Sequence, residues 1–371
     1  MKRTPLSDLF ESWTSDFLCE NGVHLPLRFA GAGTEYEAAR TGAILAEGGD
    51  RGLIRTAGAD IVDYLQRMLS SDVSKLQPGD GQWSAMLDPK GHWIADLLLY
   101  RLEDEDGAPV IFIDLPACRV DVVLEKLETF HFGEQTTWRA IDCARLLVAG
   151  PKAGQMVGEL YPDAALPASA TAKCGLEAFP LPLEFGSEAV PGDLRLVERP
   201  DRGLPCLEIN GGAEQVRELA LKLLDGGATP TGFVVLDILR VENRRPRWGS
   251  DFAEANTLPG SGEWHRASFT KGCYTGQEVV AKIDTYGAAP RQLCHLDFDG
   301  PPKPLAGLDL HDSNKKVVGV VTSWVWSPVR DQGLGLGIIK RRAIEAEEVL
   351  HVTSDAEEVM TRYQPPVKVR G

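Results

Sequence analysis

The order strand, strand, helix occurs twice in this chain, and this repetition constrains the fold more than any other feature of the sequence. The first copy covers residues 93–130 and the second covers residues 194–224. In each copy, two runs typical of strands precede apolar residues at helical spacing. Two α+β layers, each a small antiparallel sheet backed by helices, satisfy this order. The sequence therefore predicts an α+β fold with two such ferredoxin-like layers.

The pattern changes after residue 284. Short β runs at 294–298, 317–322, 335–339 and 349–352 alternate with turns rich in Gly and Pro. Short strands at this spacing are typical of an all-β barrel or sandwich. We therefore expect two regions: residues 1–284 with the α+β layers, and residues 285–371 as a C-terminal all-β barrel.

Elsewhere the local patterns are weaker. Residues 1–34 are expected to be irregular, residues 35–45 and 58–69 to be helical, and residues 161–192 to form loops and short strands. Residues 233–241 are apolar enough for either a helix or a strand.

Composition narrows the class of protein. The net charge is −15 and no long basic run is present, which argues against general nucleic-acid binding. Seven cysteines are scattered without the spacing of metal ligands, so we expect no metal site and a reducing, cytoplasmic location. The N-terminus lacks an apolar segment typical of a signal peptide, and no apolar run reaches the roughly 20 residues needed to span a membrane.

Residues 268–282 contain the most reactive-looking stretch. Cys273 lies between Gly272 and Gly276, which predict a loop, and Lys271 is two residues away. A nearby cation favours the thiolate, which is the reactive form of cysteine. The alternative is a buried and inert cysteine.

The run K-G-C-Y-T-G-Q-E at residues 271–278 resembles the signature of the YgfZ-type folate-binding proteins. These are relatives of the glycine-cleavage T-protein, an aminomethyltransferase, and are linked to tRNA modification and the maintenance of iron–sulfur enzymes. T-proteins resemble this run loosely and lack the cysteine. Residues 35–42, 87–97 and 318–328 also look like T-protein segments, so the resemblance extends along most of the chain.

The resemblance implies a folate pocket between the two α+β layers, with Asp96 and Trp83 in it. Asp96 matches the second of two adjacent acids in T-proteins, the one linked to folate chemistry, whereas the first is Ala95 here. A carboxylate near a folate nitrogen can act as a general base or stabilise an iminium cation. Trp83 matches a folate-contacting tyrosine and could stack on a pterin ring. The alternatives are an edge aspartate facing water and a core tryptophan.

Two further residues are assigned to folate by the same resemblance. Glu208 matches a glutamate that binds the pterin amino group, and Arg240 belongs to an arginine-rich segment suited to the glutamyl tail. The alternatives are a solvent-facing strand residue and a solvated basic loop. Residues 199–203 depart from the T-protein motif that precedes the glutamate, and Ser261 replaces a family acid.

Three hypotheses follow from these residues. In the first, the chain is a YgfZ-type protein that binds tetrahydrofolate or a one-carbon derivative, has iron–sulfur client proteins as partners, and uses Cys273, Lys271 and Asp96 chemically. In the second, it is an aminomethyltransferase or demethylase that moves a one-carbon unit to tetrahydrofolate. In the third, it is a scaffold that has lost the ligand.

Overall fold

The computed structural model describes residues 2–105, 107–162, 184–190, 194–199, 202–287, 289–354, 357–366 and 368. The chain divides into two compact units. Unit 1 comprises Met1–Gln66, Asp72–Ser84 and Asp96–Leu239, and unit 2 comprises Arg67–Ser71, Ala85–Ala95 and Arg240–Gly371.

The secondary structure is mixed. The helices are α1 Ser7–Glu11, α2 Ala32–Thr41, α3 Ile61–Met68, α4 Val120–Thr129, α5 Ala153–Leu160, α6 Ala213–Asp225, α7 Phe233–Glu242, α8 Leu258–Ser261, α9 Gln277–Tyr286 and α10 Arg341–Glu345. The strands are β1 Phe17–Glu20, β2 Val23–Pro26, β3 Ile44–Glu47, β4 Arg51–Ala57, β5 Asp80–Leu87, β6 Trp93–Glu105, β7 Ala108–Pro116, β8 Thr137–Ile141, β9 Ala144–Ala149, β10 Glu184–Val190, β11 Leu194–Glu198, β12 Cys206–Gly211, β13 Thr229–Pro230, β14 Arg291–Phe298, β15 Asp309–His311, β16 Val317–Ser327, β17 Gln332–Lys340, β18 Leu350–Ser354 and β19 Glu357–Gln364.

A single large sheet organises unit 1. In the described part of the chain it has 11 strands in the order β13-β3-β9-β12-β11-β10-β5-β6-β7-β4-β8. Leu146 and Val148 on β9 and Ile209 on β12 point into a helix-covered apolar core that also contains residues of α6. Because side chains alternate between the faces of a strand, Arg145 and Glu208 lie on the opposite face. The strand alternation thus assigns these two charges to one side of the sheet.

The other strands of this sheet enclose a second apolar cluster. It includes Trp83 on β5, Tyr100 on β6 and Phe112 on β7, with Val197 of β11 against them. The rings of Tyr100 and Phe112 stack with centroids 5.2 Å apart. In register, Val197 is the Cα partner of Glu208. The Trp83 cluster and Glu208 are therefore on neighbouring strand positions.

Unit 2 contains a closed barrel with the strand order β14-β17-β16-β15-β18-β19. Apolar residues from all of its long strands fill the interior, among them Leu296, Val321 and Ile339. A Cβ at position 335 would lie 2.4 Å from the Ser323 carbonyl oxygen, so the close approach of β16 and β17 requires Gly335. The expected C-terminal all-β barrel is confirmed.

The structure agrees with most of the local predictions and corrects two. The repeated order is confirmed as β6, β7, α4 and as β11, β12, α6. The first 34 residues are not irregular, because Asn21 and Gly22 adopt positive φ angles and join β1 to β2 as a tight hairpin. The helix expected over residues 35–45 ends at Thr41, and Ile44–Glu47 form a strand instead, since Gly42 breaks the helix.

The remaining segments have simple outcomes. Residues 233–242 are helical. The prediction for residues 161–192 falls mainly outside the described residues, which include only β10 and positions 161 and 162 of that stretch. None of the described helices combines the length and apolar composition needed to cross a membrane.

Candidate functional site

A buried network of charged side chains lies within unit 1. Its members lie on β4, β6, β7, β9 and β12 of the large sheet and directly after β11. Each member is between 1% and 8% exposed. The members are three acids and three arginines: Asp96, Asp114, Glu208, Arg51, Arg145 and Arg199. Their formal charges cancel, which is a condition for burying so many ionised groups.

Arg51 binds both aspartates of the network. Its Nη1 donates to Asp96 Oδ2 at 3.0 Å, and its Nε donates to the Asp114 carboxylate. Its Nη2 donates to the backbone carbonyls of the same two residues, at 3.3 Å and 3.0 Å. Asp96 is therefore buried and ion-paired, and the alternative of an edge aspartate facing water is wrong.

Arg145 and Arg199 bind Glu208 from two sides. The Arg145 Nε donates to Glu208 Oε1 at 2.9 Å, and its Nη2 donates to both Glu208 and Asp114. The Arg199 Nη1 donates to Glu208 Oε2. Both carboxylate oxygens of Glu208 thus accept hydrogen bonds from arginines. The side chain is 1% exposed, which excludes the alternative of a solvent-facing strand residue.

Asp114 is the electrostatic centre of this network. Burial opposes its ionisation, but the neighbouring Arg145, Arg51 and Arg199 outweigh burial and hold the pKa of Asp114 well below its usual value. A carboxylate that contacts several cations in a desolvated site remains charged at all ordinary pH values. Asp114 is therefore a fixed negative charge at the centre of the network.

Trp83 is buried in the apolar cluster described above and is 3% exposed. Its burial matches the core alternative of the sequence analysis. Stacking of Trp83 on a ligand ring stays a prediction. It is consistent with the position of the Trp83 cluster, because Val197 of that cluster pairs with Glu208.

A cavity of about 320 Å³ lies beside the network in unit 1. Its wall includes Glu47, Arg51, Cys143 and Arg145. Glu47 accepts a hydrogen bond from Thr4 at 3.0 Å, and burial raises the pKa of Glu47 to about 8. At neutral pH this side chain is mostly a neutral carboxylic acid, in contrast to the ionised Asp114. Sequence analysis did not identify Glu47, because its environment depends on distant residues.

Arg240 lies in unit 2, near the end of α7, and is buried. Its Nη1 donates to Asp251 Oδ2 at 2.7 Å and to the Arg245 carbonyl at 3.0 Å, and its Nη2 donates to Ser323 Oγ at 2.7 Å. The alternative of a solvated loop is therefore wrong for Arg240. Binding of a glutamyl tail by this residue stays a prediction.

The Cys273 loop is also in unit 2, and its neighbours are anchored while the cysteine is exposed. The Lys271 Nζ donates to the carbonyl oxygens of Leu69 at 2.5 Å and Ser71 at 2.7 Å. Tyr274 packs into an apolar cluster, and Gly276 has a positive φ just before α9. A Cβ at position 276 would lie 2.6 Å from the Asp88 carbonyl oxygen. The motif thus builds a fixed loop that presents an exposed thiol, so Cys273 is not buried, and its reactivity stays a prediction.

The sequence did not identify the partners of Asp96 and Glu208, which are Arg51, Asp114, Arg145 and Arg199. A signal was present for two of them, since Arg145 and Asp114 interrupt apolar strands in the same way as Asp96 does. An ionised residue on a buried strand requires a partner of opposite charge. What the sequence did not contain was the pairing, because Arg145 and Glu208 are 63 residues apart.

Comparisons with known proteins agree with this architecture. Residues 6–178 match the family model described as the GCVT N-terminal domain. Aminomethyltransferases of Halalkalibacterium halodurans and Bacillus subtilis are 27% and 29% identical to this chain, and each alignment covers 95% of this chain and 94% of the relative. The crystal structure of the glycine cleavage system aminomethyltransferase T from Bartonella henselae superposes with a TM-score of 0.83 at 22% identity, and covers 97% of this chain and 96% of that chain.

This chain has the T-protein fold. The match of residues 6–178 to the GCVT N-terminal domain agrees with this fold. The relatives span nearly the whole chain, so the T-protein fold includes both units and the C-terminal barrel. Within it, the buried network is the largest concentration of paired charges in the described residues of unit 1.

Proposed function

We propose that the protein transfers a one-carbon unit to tetrahydrofolate, as an aminomethyltransferase or demethylase does. The observation that carries the proposal is the buried carboxylate of Asp96, held by Arg51 in a chain with the T-protein fold. The aminomethyltransferase relatives favour this function over the YgfZ-type role, which was the first hypothesis from the sequence.

Three residues of unit 1 have separate roles in this proposal. Asp96 is oriented by its ion pair with Arg51, so its carboxylate can accept a proton or stabilise a cationic one-carbon intermediate. Glu208 accepts hydrogen bonds from the donor edge of the pterin. Trp83 supplies an apolar aromatic surface close to the Glu208 strand.

The donor and acceptor set fits folate in chemistry, with one condition. Glu208 already accepts hydrogen bonds from Arg145 and Arg199 on its two oxygens. A pterin can therefore take this carboxylate only if one arginine gives up its hydrogen bond. A bound folate would thus replace one of the arginines as a hydrogen-bond donor to Glu208.

The Asp96→Asn variant tests the proposal. We expect tetrahydrofolate to bind at least about tenfold more weakly and one-carbon transfer to fall by about 100-fold or more, because asparagine keeps the shape of the side chain but cannot accept a proton or carry the charge. Calorimetric titration under reducing conditions measures binding. Folate-dependent release of a one-carbon unit from aminomethyl and N-methylated donors measures transfer.

The matched control is Asp63→Asn, because Asp63 is an exposed aspartate on α3 of the same unit and lies outside both the charged network and the cavity. We expect this variant to bind and turn over like the wild type. No transfer by the wild type with several donors would reject the enzymatic proposal. Equal binding by wild type and Asp96→Asn would remove Asp96 from the site.

A YgfZ-type role is the second candidate, and the exposed thiol of Cys273 favours it. In this role the protein binds a folate and maintains iron–sulfur client enzymes and tRNA modification, with the thiol as the reactive group. Lys271 lies on the same loop as Cys273, and the carbonyl oxygens of Leu69 and Ser71 fix its ammonium group. Activation of the Cys273 thiol by this cation stays a prediction.

Alkylation of the native protein tests this role. We expect iodoacetamide to modify Cys273 about three to ten times faster than the exposed Cys19 and Cys118, and Lys271→Met to abolish that advantage. Peptide mapping by mass spectrometry measures the three rates, and urea unfolding checks that the variant is folded. Equal rates at the three cysteines in the wild type would contradict an activated thiol. Cys273→Ala that leaves folate binding and client activity unchanged would reject the role itself.

A further inference from the structure

Arg199 occupies an unusual position in the network of unit 1. It follows β11, and its side chain is 1% exposed, which makes it one of the largest fully buried side chains in the described chain. Its backbone N–H donates to the Cys206 carbonyl at 2.9 Å, and its carbonyl accepts from Arg202 at 3.3 Å. Arg202 in turn pairs with Asp50 at 3.2 Å. The backbone of Arg199 is therefore held by hydrogen bonds through both its N–H and its carbonyl, and its side chain is directed inward.

The two arginines that bind Glu208 have different roles. Arg145 binds Glu208 Oε1 and also bridges to Asp114 and to the Gly52 carbonyl, so it links four strands of the sheet. The Arg199 guanidinium donates to Glu208 Oε2, and its Nη1 is 3.7 Å from the Asp114 carboxylate. Arg145 is thus built into the sheet, whereas Arg199 reaches the carboxylate from the end of a strand.

A guanidinium and a pterin edge present the same pattern to a carboxylate. Arginine offers N–H groups on nitrogens joined by one carbon. The 2-aminopyrimidin-4-one edge of a pterin carries a ring N–H and an exocyclic amino group joined in the same way. A carboxylate that accepts from one of these is therefore complementary to the other.

We propose that the Arg199 guanidinium is an internal competitor for Glu208, which a ligand with a 2-aminopyrimidin-4-one edge must displace in order to bind. Arg199 thereby sets the affinity of the site. The inference rests on the proposed function for the identity of the natural ligand, a folate. It explains how Glu208 can serve both a buried ion pair and a ligand.

Displacement has an electrostatic consequence. With Arg199 in place the network holds three cations and three anions, and a neutral heterocycle that replaces Arg199 leaves one negative charge in excess. This cost weakens ligand binding in the wild type. In an Arg199→Ala variant no cation has to be displaced and the freed oxygen is open to donors.

The first experiment measures thermal unfolding of Arg199→Ala with two small probes, guanidinium chloride at millimolar concentration and 2-aminopyrimidin-4-one. We expect both probes to raise the Tm of this variant and neither to raise that of the wild type, because a ligand that binds the folded state stabilises it. The double variant Arg199→Ala/Glu208→Gln should lose the response. Arg195→Ala is the matched control, since Arg195 lies on β11 over the Phe112 ring and should give no response.

The second experiment is a calorimetric titration with tetrahydrofolate. We expect Arg199→Ala to bind at least about tenfold more tightly than the wild type, the effect of removing one competing charged hydrogen bond. Arg199→Gln keeps a hydrogen-bonding side chain and should give an intermediate gain. It also serves as the test variant if Arg199→Ala does not fold.

The outcomes separate this inference from the proposed function. The proposal that Arg199 competes for Glu208 would be overturned if neither probe stabilises Arg199→Ala. It would also be overturned if both Arg199 variants bind tetrahydrofolate no more tightly than the wild type. Probe binding that requires Glu208, without tetrahydrofolate binding in any variant, supports the competitor and rejects folate as the ligand.

Discussion

Asp114→Asn is expected to destabilise unit 1 by about 3–5 kcal/mol at neutral pH. The change keeps the size of the side chain but removes the charge that Arg51 and Arg145 share. Three buried arginines would then face two carboxylates, and the uncompensated cation is the source of the loss. Urea unfolding monitored by circular dichroism measures it. The control is Asp142→Asn, an exposed aspartate of the same unit, for which we expect a change within about 0.5 kcal/mol.

The pH dependence of the Asp114 effect has a definite sign. The pKa of Asp114 in the folded protein lies below its ordinary value of 3.8. As pH falls through that value, the unfolded chain takes up a proton that the folded chain does not, so acid favours unfolding. The stability from this group is present above about pH 4 and is lost below it. The difference between wild type and Asp114→Asn should therefore shrink from pH 7 to pH 3, and a constant difference would contradict the lowered pKa of Asp114.

Glu47→Gln is expected to have the opposite pH dependence and to stabilise the protein at alkaline pH. Burial raises the pKa of Glu47 from 4.5 to about 8. Between these values the folded protein holds a proton that the unfolded chain has released, so rising pH favours unfolding by about 1.4 kcal/mol per pH unit. Glutamine cannot ionise and keeps an acceptor for Thr4. We expect the variant to be about 3–4 kcal/mol more stable than the wild type at pH 8 and nearly equal to it at pH 5.

Urea unfolding at pH 5, 6, 7 and 8 measures the Glu47 effect. Glu37→Gln is the matched control, because Glu37 is an exposed glutamate on α2 of the same unit and should show no such slope. Equal stability of Glu47→Gln and wild type at pH 8 would show that Glu47 ionises without cost in the folded state. The neutral carboxylic acid beside the cavity would then be rejected.

Local patterns in the sequence were sufficient for most of the fold. Apolar spacing identified α4 and α6, short β runs between Gly/Pro turns identified the barrel strands, and glycine marked the Cys273 loop. The errors arose where a short signal was passed over, as with Asn21 and Gly22, or where one helix was extended through Gly42. Each of these features depends on residues that are close to one another in the sequence.

The candidate site was only half predictable from the sequence. Asp96 and Glu208 were identified because a charge on an apolar strand requires an explanation, and the resemblance to T-proteins supplied one. Their partners were not identified, because the rule that buried charges are paired does not say which cation is the partner. Arg51 and Asp114 are 63 residues apart, and only the strand order of the sheet brings them together.

The sequence by itself therefore determined the elements, the barrel and the exposed thiol loop, since these follow from side-chain periodicity and backbone preferences that act locally. The tertiary structure alone decided that Asp96 and Glu208 are bound by arginines, that Arg199 rather than solvent meets Glu208, and that Glu47 is neutral. The physical reason is that ionisation and pairing depend on desolvation and on charges within a few ångströms. In this chain those charges come from strands far apart in sequence.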